Sequence, residues 1–391
     1  MNQETFKPGL EGVVAGECAV ACAEQDQLLY RGYEIADLAA HATFEETAYL
    51  LLYGELPNRL QLEWFKADLF SLRPIPAAVM QALRLIPREA DAMDVLRTMV
   101  SMAGHFDPVA DAEPDAPRRR SLWLIAQIAG IIAARNRLLD GQEPLPPKPG
   151  LSHAAQLLYQ SLGVEPGPVE TRLLDLTLIL YAEHEFNAST FTARVICSTK
   201  SDMVSAIVGA IGALKGPLHG GANEAVTRLL TRFNSADEAR NWVHAALARH
   251  ENVAGFGHRV YKNGDHRATI LERELRPLAE SAGAGNLMGI YDAIHDIMEH
   301  EKKIHMNLDY PCGLTYYLLG LPIDLYTPIF AAARISGWCA HYMEQQANNR
   351  LYRPLSRYTG PPHRNLVPLD QRADWLEGAV PDFSAAVHGS Q

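Results

Sequence analysis

The 391 residues include 35 Lys and Arg against 46 Asp and Glu, a formal charge of −11, and 48% are hydrophobic. So acidic a chain lacks the broad positive field that nucleic acid or an anionic membrane surface demands, while its apolar share is that of a folded globular protein. Anion binding, if present, must be local. The five cysteines (Cys18, Cys22, Cys197, Cys312 and Cys339) form no CxxC pair. That spacing argues against a disulfide framework or a zinc knuckle and predicts reduced, buried thiols.

Taken in chain order, "MNQETFKPGLEGV" has neither the basic start and apolar run of a secretory signal nor the Arg- and Ser-rich composition of a transit peptide. A cytoplasmic location is the expectation. Val and Tyr runs around a polar turn between Gly12 and Ile35 predict a small β hairpin. Beyond it, apolar residues recur three and four apart and Ala and Leu abound, so the fold class expected is all-α. His105–Arg120 and Gly141–Gly150, rich in Pro and polar residues, read as loops that bracket one helix. Within it, "SLWLIAQIAGIIAAR" (Ser121–Arg135) falls short of the roughly 20 residues of a membrane span and ends in charge, which predicts a buried helix. Arg118–Arg120, among acidic neighbours, reads as a solvated helix entry.

The segment "KSDMVSAIVGAIGALKGP" offers Ser201 as N-cap, Asp202 in the first turn, and Gly216 with Pro217 as a stop. His219 then falls in a short connection ahead of a helix that resumes near Asn223. The amino end of a helix favours negative charge and biases a nearby imidazole towards neutrality. "GAGNLMG" (Gly283–Gly289) reads as a turn, and Asp309, ahead of Pro311, has the position of a near-cap residue or a functional acid. Thr327 and Pro328 open a helix on which Arg334, Trp338 and His341 share one face. A buried Arg334 requires an anion, either a carboxylate of the protein or a ligand.

Chemistry concentrates in five patches: "AEHEFNAST" around His184, "LHGGANE" around His219, "GFGHRVYKNGDHR", "MNLDYPCG" around Asp309, and "AAARISGWCAH". In the third, glycines allow close backbone approach, and Arg259, Lys262 and Arg267 favour carboxylates or phosphates. HExxH, GxSxG, a Walker loop and a strand-borne GxGxxG are all missing from the sequence, and no metal-ligand spacing supports a histidine metalloenzyme.

With "YRGYEIADLA" and "FEETAYLLLYGELP" near the start and "RPLSRYTGP" near the end, these patches in this order resemble the citrate synthases, a group that includes the 2-methylcitrate synthases. The resemblance implies a two-domain helical homodimer, with a large domain from residues 1–220 and 327–391 and a small one from 221–326. It also implies condensation of acetyl-CoA with oxaloacetate and hydrolysis of the thioester, with no cofactor and no metal. By the same resemblance, Asp309 is the base at the acetyl methyl group, His219 the donor that stabilises the enol, and His258 the group at the oxaloacetate carbonyl. His184, Arg267, Arg334 and, across a dimer, Arg353 are implied to bind oxaloacetate. Gly255, Phe256, Gly257, Lys262 and Arg259 are implied to bind CoA, and Arg59 matches a further ligand position.

Two departures stand out: His266 occupies a place where proline is common, and "DYPCG" replaces the usual aromatic-Ser or aromatic-Ala run after the aspartate. "GFGHRVY" is similar to citrate synthases, whereas many 2-methylcitrate synthases have proline after that histidine. The alternative substrate is propionyl-CoA, and the alternative of another class is a helical scaffold without catalysis.

Overall fold

The computed structural model describes residues 6–24, 27–258 and 260–372. Its first regular structure is an antiparallel sheet of β1 (Ala21–Glu24), β2 (Gln27–Tyr30) and β3 (Tyr33–Glu34), with Ala21 opposite Tyr30 and Leu29 opposite Glu34. The expected hairpin therefore carries a third short strand. Tyr30 is buried, and its hydroxyl donates to the Glu183 carbonyl at 2.9 Å, which ties the sheet to the turn that bears His184.

Helices then follow, half of them started by a residue whose side chain satisfies otherwise unpaired amides. After α1 (Ile35–His41), reciprocal capping boxes open α2 (Phe44–Tyr53) from Thr43 and Glu46, and α3 (Arg59–Ser71) from Asn58 and Gln61. α4 (Ala77–Leu85) precedes α5 (Ala92–Ala103), capped by Asp91. α6 (Ala116–Leu139) has the length and composition of a membrane span, yet 83% of its apolar window is buried inside the protein. It is the central helix of the core. Arg118, Arg119 and Arg120 lie in its first turns and pair with Asp115, Glu113 and Asp107, the acids of the preceding loop.

α7 (His153–Leu162), α8 (Pro168–Tyr181) and α9 (Ala188–Ser198) begin at Ser152, Gly167 and Asn187. α10 (Met203–Leu214) is capped by Asp202, one residue later than the sequence suggests. The carboxylate wins over the Ser201 hydroxyl because its two oxygens take both the amide and the hydroxyl of Ser205.

α11 (Ala222–Leu230), α12 (Ala236–Ala248), α13 (His266–Ser281), α14 (Gly285–Asp296) and α15 (Asp309–Leu318) surround a second apolar core that includes Val226, Val243, Leu275, Tyr291, Ile294 and Tyr310. The turn expected over Gly283–Gly289 is wrong for most of its length: only Gly283 keeps a left-handed backbone, at φ +66°, and the helix starts at Gly285. Burial of Ile290, Tyr291 and Ile294 outweighs the roughly 1 kcal/mol that each glycine costs a helix.

The chain returns to the first core through α16 (Tyr326–Ala347), buried along most of its length. Gly337 lets α16 approach the end of α8, because a Cβ there would sit 2.2 Å from Glu183 Oε2 and 2.4 Å from the Ala182 carbonyl. A separate unit begins at Arg353. Its described residues are exposed and contain one 3-10 turn, Leu369–Gln371.

Candidate active site

Seven of the residues singled out from the sequence line one cavity of about 490 Å³: His184, His219, Gly257, His258, Arg267, Asp309 and Arg334. They come from turns, helix ends and, for Arg334, the body of a helix, spread from position 184 to position 334. His184 follows α8 in a turn where Glu185 takes φ +48°, a left-handed conformation that a non-glycine residue adopts at a cost. His219 lies between α10 and α11, His258 in the loop ahead of α13, and Asp309 at the first position of α15.

Two of the three imidazoles that line the cavity have defined tautomers. His258 Nδ1 accepts from the amides of Val260 and Tyr261 at 3.0 and 3.1 Å, so the neutral ring carries its proton on Nε2. In His219, Nε2 accepts from the Ser189 amide at 3.3 Å and lies 2.8 Å from the Ser189 hydroxyl, which leaves the proton on Nδ1. Trp338 holds that hydroxyl by donating to it at 3.0 Å. Both histidines are pushed down to about 4, by burial first and then by Arg334 for His219 and Arg267 for His258. They are neutral donors at pH 7. The direction is the one expected of an imidazole ahead of a helix amino end, and for His219 burial and the Arg334 guanidinium drive it.

His184 is buried, with Nε2 3.0 Å from the Tyr261 hydroxyl, and burial followed by Arg267 keeps it well below its ordinary range.

The cations differ in how they are balanced. Arg267 makes a buried two-point pair with Asp265, Nε to Oδ1 at 3.0 Å and Nη2 to Oδ2 at 2.8 Å. Arg334 has no carboxylate within ion-pair distance among the described residues; its Nε donates to the Tyr181 carbonyl at 2.5 Å. Burial lowers its pKa, with Glu183 acting against the shift. A guanidinium only 2% exposed and facing a cavity is costly without an anion, so this geometry fits an acidic ligand.

Asp309 brings a carboxyl to the cavity. Burial pushes it up to about 6, while the Tyr181 hydroxyl, donating to Oδ1 at 2.6 Å, opposes the rise. Oδ2 has no hydrogen-bond partner among the described residues.

The other residues singled out lie apart. Gly255, Phe256 and Gly257 form a loop that pairs with residues 305–307: the Gly257 amide donates to the His305 carbonyl and the Asn307 amide to that of Gly255. Gly255 needs its φ of +87°, and a Cβ would collide with Tyr310 at 2.7 Å. Gly257 alone of the three lines the cavity. Lys262 is exposed and donates to the His258 carbonyl, whereas Arg259 lies outside the described residues. Arg59 stands exposed at the start of α3 and does not line the cavity. Arg353 belongs to the second unit, where it donates to the Pro354 carbonyl.

Three contributors escaped the sequence reading. Asp265 caps α13, pairs with Arg267 and accepts the Leu308 amide at 3.1 Å, so one carboxylate ties a cavity-lining cation to the residue before Asp309. Its signal was a cap residue two places before an arginine. Ser189 and Tyr181 left no such mark.

Behind the cavity lies a second polar cluster. His341 Nε2 meets Glu183 at 2.8 Å and its Nδ1 meets Arg194 Nη1 at 2.9 Å; the same Nη1 donates to Glu344 at 2.6 Å. Cys18, His341 and Glu344 have donor atoms within 4.8 Å of one another, but the guanidinium already takes the place of a cation there.

A helical fold with a second apolar core, and a cavity that joins buried guanidinium groups, neutral imidazoles and a carboxylate, define an acid–base site for an anionic substrate. Comparison with known proteins gives the same class a family: the profile described as "Citrate synthase, C-terminal domain" matches residues 9–355. The chain belongs to the citrate synthase family. It is 43% identical to 2-methylcitrate synthase 1 of Corynebacterium glutamicum over 95% of this chain and 100% of that one. It is also 43% identical to citrate synthase 2 of Bacillus subtilis, over 94% and 100%. Among solved structures, citrate synthase of Thermoplasma acidophilum in a ternary complex with carboxymethyl coenzyme A and oxaloacetate matches with a TM-score of 0.87 at 32% identity, covering 94% of this chain and 100% of that chain.

Proposed function

We propose that the protein is a citrate synthase, condensing acetyl-CoA with oxaloacetate and hydrolysing the resulting citryl-CoA to citrate and CoA. The observation that carries this reading is the meeting of Asp309, His219 and His258 in one cavity with Arg267 and Arg334. Asp309 Oδ2 removes a methyl proton from acetyl-CoA as the Nδ1–H of His219 hydrogen-bonds the thioester oxygen, where negative charge develops. The new carbon nucleophile attacks the keto carbon of oxaloacetate, and the Nε2–H of His258 stabilises the oxygen that becomes an alkoxide. Arg334 and the free edge of Arg267 face the carboxylates, with His184 beside them. Water then attacks the thioester and releases CoA.

The second core supports a small domain over residues 221–326 that closes on the cavity, joined to the first core through Leu271, Leu278 and the apolar residues of α15. We further propose a homodimer in which Arg353 of one subunit completes the oxaloacetate site of the other, with the Gly255–Gly257 loop and Lys262 serving CoA. The test is CoA release from acetyl-CoA and from propionyl-CoA, each with oxaloacetate. A higher kcat/KM with acetyl-CoA supports the reading, a higher value with propionyl-CoA makes the protein a 2-methylcitrate synthase, and no release with either rejects catalysis of this kind.

A further inference from the structure

The hydroxyl of Tyr181 ends a chain of contacts that the proposed reaction does not by itself require. Tyr181 is the last residue of α8, 2% exposed, with its ring packed on Phe330 at 4.2 Å between centroids. Its two polar ends do different things: the carbonyl accepts from Arg334 Nε at 2.5 Å, and the hydroxyl donates to Asp309 Oδ1 at 2.6 Å. Next to the hydroxyl lies Cys312, one turn along α15 and wholly buried, and Tyr316 another turn on. Tyr316 in turn donates to Thr177 of α8 at 3.2 Å, so the α8–α15 contact is pinned at both ends.

We propose that Tyr181 is a positioning residue for proton abstraction: its phenol occupies Oδ1 of Asp309, fixes the plane of the carboxylate, and leaves Oδ2 as the oxygen presented to the acyl methyl group. The inference rests on the condensation reading above. In the step it serves, a methyl C–H bond breaks, the proton passes to Oδ2, and the electron pair moves into the carbon–carbon double bond of the enol form, whose oxygen His219 meets. A carboxylate held at one oxygen loses a rotation that would otherwise have to be frozen in the transition state. The phenol also favours the ionised form of the base, because it bonds more strongly to a carboxylate than to a neutral acid.

The groups facing this pair come from four places. Arg267 of α13 and Arg334 of α16 favour the ionised carboxylate, Asp265 ahead of α13 opposes it, and on α15 Cys312 and Tyr316 oppose ionisation of the phenol. The phenol of Tyr181, buried and beside a carboxylate, is itself held well above its ordinary range, so it stays a donor throughout the working pH range.

Tyr181→Phe removes one oxygen and keeps the backbone carbonyl that holds Arg334. In this variant the acidic limb of kcat should move to higher pH by about one unit, with kcat at pH 7 falling ~10-fold and the KM for oxaloacetate changing less than about threefold. A role confined to packing would lower thermal stability and leave that limb in place. The Asp309 carboxyl should be followed in parallel by infrared difference titration, its band assigned by its loss in Asp309→Asn, and its midpoint should rise with the kinetic limb. Should Tyr181→Phe fail to fold, 3-fluorotyrosine at position 181 alone is a stronger donor of nearly the same shape and should move both quantities downward. An unmoved midpoint in whichever variant folds overturns the proposal. A wild-type chain that releases no CoA rejects the condensation reading instead, and the infrared midpoint then still accepts or rejects the Tyr181 bond.

Discussion

Two buried clusters of the same residue types lie against opposite sides of the turn at Glu183 and His184. In the closed one, every charged head meets another: Glu183 with His341, His341 with Arg194, Arg194 with Glu344, and the Ala19 amide on Glu344 at 2.8 Å. In the open one, Arg334 lacks a carboxylate, Asp309 keeps one bare oxygen, and His219 and His258 each hold a proton that no described residue accepts. Composition does not separate the two; completeness does. A cluster whose charged heads pair with one another, with only Glu183 Oε2 left without a partner, is structural, and one whose remaining valences converge on a cavity is built for a visitor.

Breaking each cluster should therefore read out in different quantities. The largest effect is expected for Asp309→Ala, which should lower condensation by at least ~10³-fold while oxaloacetate still binds, measured by turnover and by calorimetric titration. Next comes Arg194→Met, which strips the closed cluster of its cation and should cost about 3–5 kcal/mol in denaturant unfolding. In whatever fraction stays folded, it should leave the KM for oxaloacetate unchanged. Arg334→Gln should do the reverse: the KM for oxaloacetate should rise ~100-fold with stability maintained or improved, because an unbalanced buried charge has been removed.

Asp309 offers a subtler test through pH. Its folded pKa of about 6 lies above the ordinary carboxylate value of 3.8, so the folded protein holds this proton more tightly than the unfolded chain does. Stability from this group is complete below pH ~4 and is lost as the pH rises through 6. Asp309→Asn should accordingly gain about 3 kcal/mol over the wild type at pH 8 and nothing at pH 4, by unfolding at the two pH values. The smallest expected effect is none: zinc should leave the melting temperature unchanged, since Arg194 already bonds to both His341 and Glu344.

The same contrast marks the reach of sequence reading. Helix punctuation was visible around α10, where the Ser201–Asp202 start and the Gly216–Pro217 stop fall within a residue or two of its ends, because caps act on amides two or three residues away. The common face of Arg334, Trp338 and His341 was visible too, but not their separate ends: Arg334 reaches the cavity, Trp338 supports Ser189, and His341 joins the closed cluster. Periodicity gives a direction in the helix frame and says nothing of what waits there. The roles of His184, His219, His258, Arg267, Asp309 and Arg334 entered through a family resemblance, and the structure collects these residues from five patches while Arg59 stays off the cavity. Tyr181 was hidden for a physical reason, since its partner lies 128 residues away and its neighbours read as a plain apolar helix.

Gly337 has a consequence for anyone wishing to make this protein hardier. Replacing a helical glycine with alanine ordinarily gains about 1 kcal/mol, and a generic stabilisation scheme would choose this position early. Here the added methyl would wedge α16 away from Glu183 and the end of α8, disturbing His341 on one side and the carbonyl that steadies Arg334 on the other. Alanine at that residue would therefore lower heat tolerance and loosen the cavity wall together.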